Sequence, residues 1–488
     1  MDLEKGRKGA LDRYESEKRA HLDDLIALTR IPSVSFDGFP PGEVVRSAEM
    51  VKGILERAGF ENVSLMRIPG THPYVYADWL KAPGAPTVLL YAHHDVQPPM
   101  RDELWKSPVW EPTERNGRLF ARGIADDKAG VLIHAASAAS WLRAAGSLPV
   151  NVKVIIEGEE EIGSTHLEAF LSAHAEQLRA DCVVLTTTLR GLISMEVEVA
   201  ALDHPLHSGM WGGPIPDPIM ALSKILARLV DDEGRVAVPG IWDDVVPPRP
   251  DEMEDLRKLG MDDATFRKQA GIGPGVKLFA EGEGLLAKMW REPSLAVNSI
   301  QSGGRKVAGN VIMDSAWARI GLRLVPDMDP AKATRQLAEH IKSLCPWGLE
   351  VKVTPEQGAN PWITKSDHPV FSVAKKSLGR GYGKPAVLIG CGGTIPFVDS
   401  FTKALGNIPA LLVGIEDPYT NAHSENESLE VEDFHRSVRS QIHFFADLAE
   451  AVRNDPALFT SRFSAPLAAN AASATASRPA SRVPDPGV

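Results

Sequence analysis

Three short apolar runs most constrain the fold of this 488-residue chain: "TVLLYA" (Thr87–Ala92), "VNVKVIIEG" (Val150–Gly158) and "PALLVGI" (Pro409–Ile415). The first and third lack the apolar/polar alternation of a half-exposed strand, and the second ends in the unbroken Val154–Ile156, so each reads as a strand buried on both faces. Helical stretches lie between the runs. Leu22, Leu25, Ile26 and Thr29 mark one face of an early helix that stops before "IPSVS", and Asp127 to Ala145 reads as a long, largely apolar helix. Buried strands alternating with helices predict an α/β fold, a mainly parallel sheet with helices on both faces.

The middle of the chain is patterned differently. "ISMEVEV" (Ile193–Val199), "AWARIGLRLV" (Ala316–Val325) and "LEVKV" (Leu349–Val353) alternate apolar with polar or charged residues, as antiparallel strands open on one face do. "DPIMALSKILARLV" has helical spacing, with Met220, Ile225, Leu226 and Leu229 as its apolar positions. After about Glu356 the parallel-type pattern returns. One domain is therefore expected inside another: residues 1–189 and 357–462 form the discontinuous α/β domain, and 190–356 an inserted α+β domain. The Ala/Ser/Pro-rich segment 463–488 reads as a disordered tail. No internal repeat is visible, and the length suits two domains.

A net charge of −11 without a Lys/Arg-rich block argues against nucleic acid as a partner. Three widely spaced cysteines, Cys182, Cys345 and Cys391, imply neither a disulfide framework nor a thiolate zinc site, and fit a reducing cytoplasm. The charged N-terminus has no apolar core of a signal peptide, and no apolar run is long enough to span a membrane. A cytoplasmic protein with no membrane partner is expected.

Four clusters of imidazole and carboxylate fall at strand ends or in the loops after them, where open α/β sheets place their sites. In "YAHHDVQPP", His93 and Asp95 are two apart and can point the same way. In "ARGIADDKAG", Asp126 and Asp127 precede the long helix; Asp127 reads as an ordinary N-cap, and an aspartate here can also bridge two cations. "EGEEEIGS" crowds Glu157, Glu159, Glu160 and Glu161 at the end of an apolar strand, where like charges repel unless cations or solvent compensate. One of them can ligate a metal while its neighbour takes a proton from a bound water. His423 lies in "NAHSENE". Together these are nitrogen and oxygen donors without a thiolate, a set that suits zinc or manganese.

The ordered set "HHDVQP", "RGIADDKAG", "EGEEEIGS", "HPLHSGMWGG", "RLVP", "GCGGTIP" and "NAHSENE" spans most of the chain and resembles the co-catalytic metallopeptidases that include carnosinase, cytosolic non-specific dipeptidase and succinyl-diaminopimelate desuccinylase. The "DEGRVAVPG" segment and the large insert look most like the dipeptidase branch. The resemblance implies a catalytic α/β domain, an inserted lid and dimerisation domain, and a homodimer hydrolysing dipeptides or similar small carboxylate-bearing amides. It implies that His93 holds one metal, Asp126 bridges two, and Glu161 and His423 hold the other. Glu160 matches the general base and Asp95 the residue that orients His93. His207 matches a histidine that reaches the partner subunit's site and stabilises the oxyanion. Arg323 matches an arginine that receives the substrate carboxylate. Asn310, Gly393 and Thr394 match substrate-binding loop positions, with Gly392 beside them.

The chain departs from the family pattern at several positions. Ala92 stands where glycine is common, Pro205 replaces an aspartate, Cys391 replaces a glutamate of the carnosinase group, and Asn310 and Met313 alter a substrate loop. The largest departure is "DCVVLTTTLRGL": near Thr187 the family has an aspartate that ligates the same metal as His93, followed by a loop. Either the ligand is lost, or a loop is missing from this sequence; "TTTLRGL" reads like the normal restart after that loop. Taken literally, the sequence predicts one tight metal and one weak or empty site. Two other functions follow as alternatives: an N-acyl amino acid or carbamoyl amidohydrolase of the same fold, and a non-catalytic binding protein with a degenerate site.

Overall fold

The computed structural model describes residues 1–184, 188–189, 191–304, 309–356, 358, 360–363, 368–387, 403–411 and 413–459. A six-stranded sheet runs in the order Glu61–Met66, Tyr74–Trp79, Asn151–Glu157, Thr87–His93, Cys182–Val184, Ala410–Leu411. The last four strands are mutually parallel, and the first two join antiparallel at one edge. Alternation along each strand divides the core. Val88, Leu90, Ala92, Val152, Val154 and Ile156 pack with the helices Leu3–Thr29, Pro41–Ala58, Lys128–Ala145 and Val431–Asn454, while Leu89, Tyr91 and Ile155 pack with Phe170 and Leu171 of Leu167–Ala173. Both faces are thus covered, as expected for parallel strands of this kind.

A second, four-stranded sheet runs Ser294–Gln301, Ser315–Leu324, Gly191–Ala200, Glu350–Pro355, antiparallel throughout. Ile193, Met195, Val197 and Val199 point into its core, and Glu198 points out. The helices Pro218–Leu226 and Pro330–Leu344 cover the apolar face, each started by an aspartate, Asp217 or Asp329, that caps the first turn.

Three expectations change in detail. Met220 is exposed, because the buried face of its helix is set by Pro218, Ala221, Leu222 and Ile225. Asp127 stands at the N-cap position but makes no side-chain cap bond: its carboxylate accepts the His93 N–H at 3.3 Å and lies over Gly130, where a Cβ would collide with it. Strand pairing after Pro409 is described for Ala410–Leu411 only, and Val413 is already exposed. The tail 463–488 lies outside the described residues.

Candidate metal centre

His93 and Glu157 are register partners at the carboxyl ends of two adjacent parallel strands, so the loops that follow converge on one edge of the sheet. The imidazole of His93 is fixed from behind. Its Nδ1 lies 3.1 Å from the Asp95 carbonyl and 3.4 Å from the Asp95 carboxylate, which turns Nε2 toward Asp126 Oδ1 at 3.0 Å. The other Asp126 oxygen, Oδ2, lies 3.0 Å from His423 Nε2. A single carboxylate therefore stands between two imidazoles, one oxygen toward each. The peptide bond between Asp126 and Asp127 is cis.

The four glutamates of "EGEEEIGS" separate by position. Glu157, the last strand residue, points into the interior and accepts from the hydroxyls of Tyr91 (2.6 Å) and Tyr74 (3.3 Å). Glu159 is buried and accepts from His72 N and meets His166 Nδ1. A 3-10 turn over Glu160–Ile162 then brings the next two to the cluster. Glu160 Oε2 lies 3.8 Å from His93 Nε2, and Glu161 Oε2 lies 3.2 Å from His423 Nε2. Among the described residues, His93, Asp126 and Glu161 offer ligand atoms within 4.8 Å of one another. His423 adjoins them through Asp126 and Glu161.

The electrostatics follow from crowding carboxylates in a buried site. Burial lifts the Glu160 carboxyl well above the usual range; the Glu161, Asp126 and Asp95 charges add to the lift and His93 opposes it. The His423 imidazole is pushed up to about 11 by the carboxylates of Asp126 and Glu161. Burial alone would raise Asp126, but the two histidines outweigh it and hold its carboxyl below the usual range. Two imidazoles and several mutually repelling carboxylates, with oxygen and nitrogen donors only, fit a divalent cation.

Two supporting residues, Gln97 and Glu427, escape sequence reasoning although they sit inside the quoted motifs. Gln97 donates from Nε2 to Glu161 Oε2 at 2.7 Å. Asp95 reaches beyond His93: it accepts the N–H groups of Glu160 (3.2 Å) and Glu161 (3.0 Å) and the Ser35 hydroxyl (2.7 Å). Glu427 binds the loop of Asp126. Gln97 and Glu427 follow histidines of the motifs at fixed short spacing, the only signal that marks them before the loops are placed.

The inserted segment carries the remaining described candidates. His207 is exposed, pairs with Val311, and accepts the Gly209 N–H on Nδ1 at 3.1 Å, so its Nε2 carries the proton outward. Asn310 adjoins this pair, its carbonyl accepting from Ser208 N. Arg323 lies at the other end of the sheet, opposite Leu192, where the insert begins. His207 pairs within a separate two-stranded sheet, Leu206–His207 with Val311–Ile312, which the chain joins to the strand Ser315–Leu324 at its Ser315 end, and eight residues of extended chain, about 26 Å, separate that end from Arg323. Thr187, Gly392, Gly393 and Thr394 lie outside the described residues.

Residues 89–447 match Peptidase family M20/M25/M40. The chain belongs to this family. Its M20 relatives include the cysteinylglycine-S-conjugate dipeptidase of Corynebacterium striatum, 31% identical over 71% of this chain and 77% of that protein. The Cys-Gly metallodipeptidase of Schizosaccharomyces pombe is 29% identical over 89% of this chain and 97% of its own. Among solved structures, human carnosine dipeptidase 1 superposes with a TM-score of 0.80 at 26% identity, over 91% of this chain and 99% of that one. The membership agrees with the reading of the ordered motifs.

Proposed function

We propose that this M20 protein is a cytoplasmic metallo-dipeptidase that acts as a homodimer. The observation that carries the reading is the Asp126 carboxylate placed between His93 and His423, with Glu160 beside His93. Asp126, Glu161 and His423 would hold one divalent cation, zinc or manganese; His93 and Asp126 would hold a second more weakly, with two protein donors. A cation bound there supplies Lewis acidity and lowers the pKa of water. Glu160 would take the proton of the attacking water and return it to the leaving amine, a shuttle suited to a carboxyl that burial raises above the usual range. Asp95 holds His93 and the Glu160–Glu161 amides in one arrangement, so base and ligands keep a fixed spacing. Arg323 receives the substrate carboxylate with its planar fork.

A dipeptide spans about 7 Å, far less than the roughly 26 Å of extended strand between Arg323 and the Ser315 end, where the two-stranded sheet of His207 joins. This supports His207 serving a second copy of the chain, where its outward Nε2–H donates to the developing oxyanion, with Asn310 beside it. In this reading residues 1–189 and 357–462 form the catalytic domain, 190–356 the lid and dimerisation domain, and Gly393 and Thr394 the substrate loop.

Two measurements test the reading. Chelation should abolish dipeptide cleavage and added zinc or manganese restore it; cleavage that survives full metal removal contradicts the proposal. Glu160→Gln should keep its metal and lose turnover by about 10²–10⁴-fold, and a variant as fast as wild type removes Glu160 as the base. A panel of dipeptides and N-acyl amino acids separates a peptidase from an amidohydrolase of the same fold.

A further inference from the structure

Asp126 and His423 are 297 residues apart in sequence, and neither lies in a strand or helix. Some other feature must fix the distance between their loops. The Glu427 carboxylate lies between them, with a side chain 1% exposed, and each of its oxygens accepts two bonds. Oε2 takes Arg122 Nη1 at 2.6 Å and Gly123 N at 3.0 Å; Oε1 takes Ala125 N at 3.1 Å and Asp126 N at 3.2 Å. The two loops are stitched again on either side: Ala121 N donates to the Glu427 carbonyl at 3.1 Å, and Arg122 Nη2 to the Ser424 carbonyl at 3.1 Å. His423 is four residues from Glu427, in a segment where Asn421, His423 and Asn426 all have positive φ, so the histidine's direction is set by the loop and not by a regular element.

We infer that Glu427, paired with Arg122, is a positioning residue that sets the spacing of Asp126 and His423 and thereby the cation affinity of the site. The inference rests on the metal-hydrolase reading. Glu427 and Arg122 are both buried, so they act through the loops and not on substrate. A glutamine at 427 would keep one acceptor oxygen and turn an NH₂ group against two donors, and it would leave Arg122 without a counter-charge. A lysine at 122 would keep the charge and lose the fork that also holds Ser424.

The test uses the full chain, stripped of metal and titrated with zinc against a chromophoric chelator, alongside melting with and without zinc. Wild type should take up zinc. Glu427→Gln should weaken zinc binding by about 10–100-fold and shrink the zinc-induced rise in melting temperature, and Arg122→Lys should do the same to a smaller degree. A folded Glu427→Gln variant whose metal-free melting temperature falls while its zinc affinity and zinc-induced shift match wild type has lost only stability, and overturns the inference. Should Glu427→Gln fail to melt cooperatively, Arg122→Lys decides by the same comparison: weakened zinc binding supports the inference and unchanged binding overturns it. Failure of wild type itself to bind zinc or manganese overturns the metal-hydrolase reading instead.

Discussion

Two adjacent histidines show how far a residue's role depends on the face of the strand end it occupies. His93 turns toward Asp126, whereas His94 is fully buried and lies with Nε2 3.0 Å from the Pro73 carbonyl. Burial pulls the His94 imidazole down to about 4. Its folded pKa is below the unfolded value of 6.5, so its contribution to stability is complete above pH 6.5 and is lost as pH falls toward 4. For a fully buried ring that is about 3 kcal/mol. Urea unfolding of the metal-free protein between pH 7 and 4.5 should show a steeper loss for wild type than for His94→Gln. Parallel curves would exclude His94 as a source of acid sensitivity, because the other titrations are common to both proteins. In "HHD" the two-residue spacing allowed His93 and Asp95 to point the same way, the resemblance implied His93 as the ligand, and the structure turns His93 toward Asp126. Periodicity could not divide the roles of Glu157, Glu159, Glu160 and Glu161, which only the family resemblance assigned, because the strand ends at Glu157 and the tight turn over Glu160–Ile162 breaks the period that would have assigned faces.

Elements whose pattern is long and regular were legible, and those decided by tertiary contact were not. The apolar runs at Thr87–His93 and Asn151–Glu157 became covered parallel strands, and the alternating runs became the antiparallel inserted sheet. The exposed Met220 was misplaced because proline and alanine, weak markers of burial, define the buried face of its helix. The crossing of Pro369–Tyr382 on Val431–Asn454 is invisible in the sequence, since it depends on one missing side chain. A Cβ at Gly381 would meet the backbone of Arg436 and the Ser440 hydroxyl. Gly381→Ala gains about 1 kcal/mol of helix propensity, but the opposing atoms include rigid backbone. Overpacking of this kind costs about 1–3 kcal/mol and should win. The variant should unfold at lower urea concentration than wild type, while Gly379→Ala on the same helix, whose Cβ would find ordinary space near the Lys384 carbonyl, should not.

At the scale of the whole molecule, one chain divides the proposed machinery between two places. The metal ligands and Glu160 gather at the carboxyl edge of the six-stranded sheet, and Arg323 lies where the inserted sheet begins, but His207 stands in a separate two-stranded sheet joined to the inserted sheet at its Ser315 end. If the site is completed across a two-fold dimer, each site takes Glu160 from one protomer and His207 from the other. Glu160→Gln and His207→Ala homodimers should then both be nearly inactive on a dipeptide. Mixing them in equal amounts, with subunit exchange, makes about half the dimers mixed, and each mixed dimer has one intact site and one doubly defective site. Activity should therefore recover to about one quarter of the wild-type value. It should remain absent when the two proteins are combined under conditions that prevent exchange. With both homodimers inactive, no recovery after proven exchange would mean that His207 acts within its own chain, and the separation along Ser315–Leu324 would then require the inserted domain to move against the catalytic sheet during turnover.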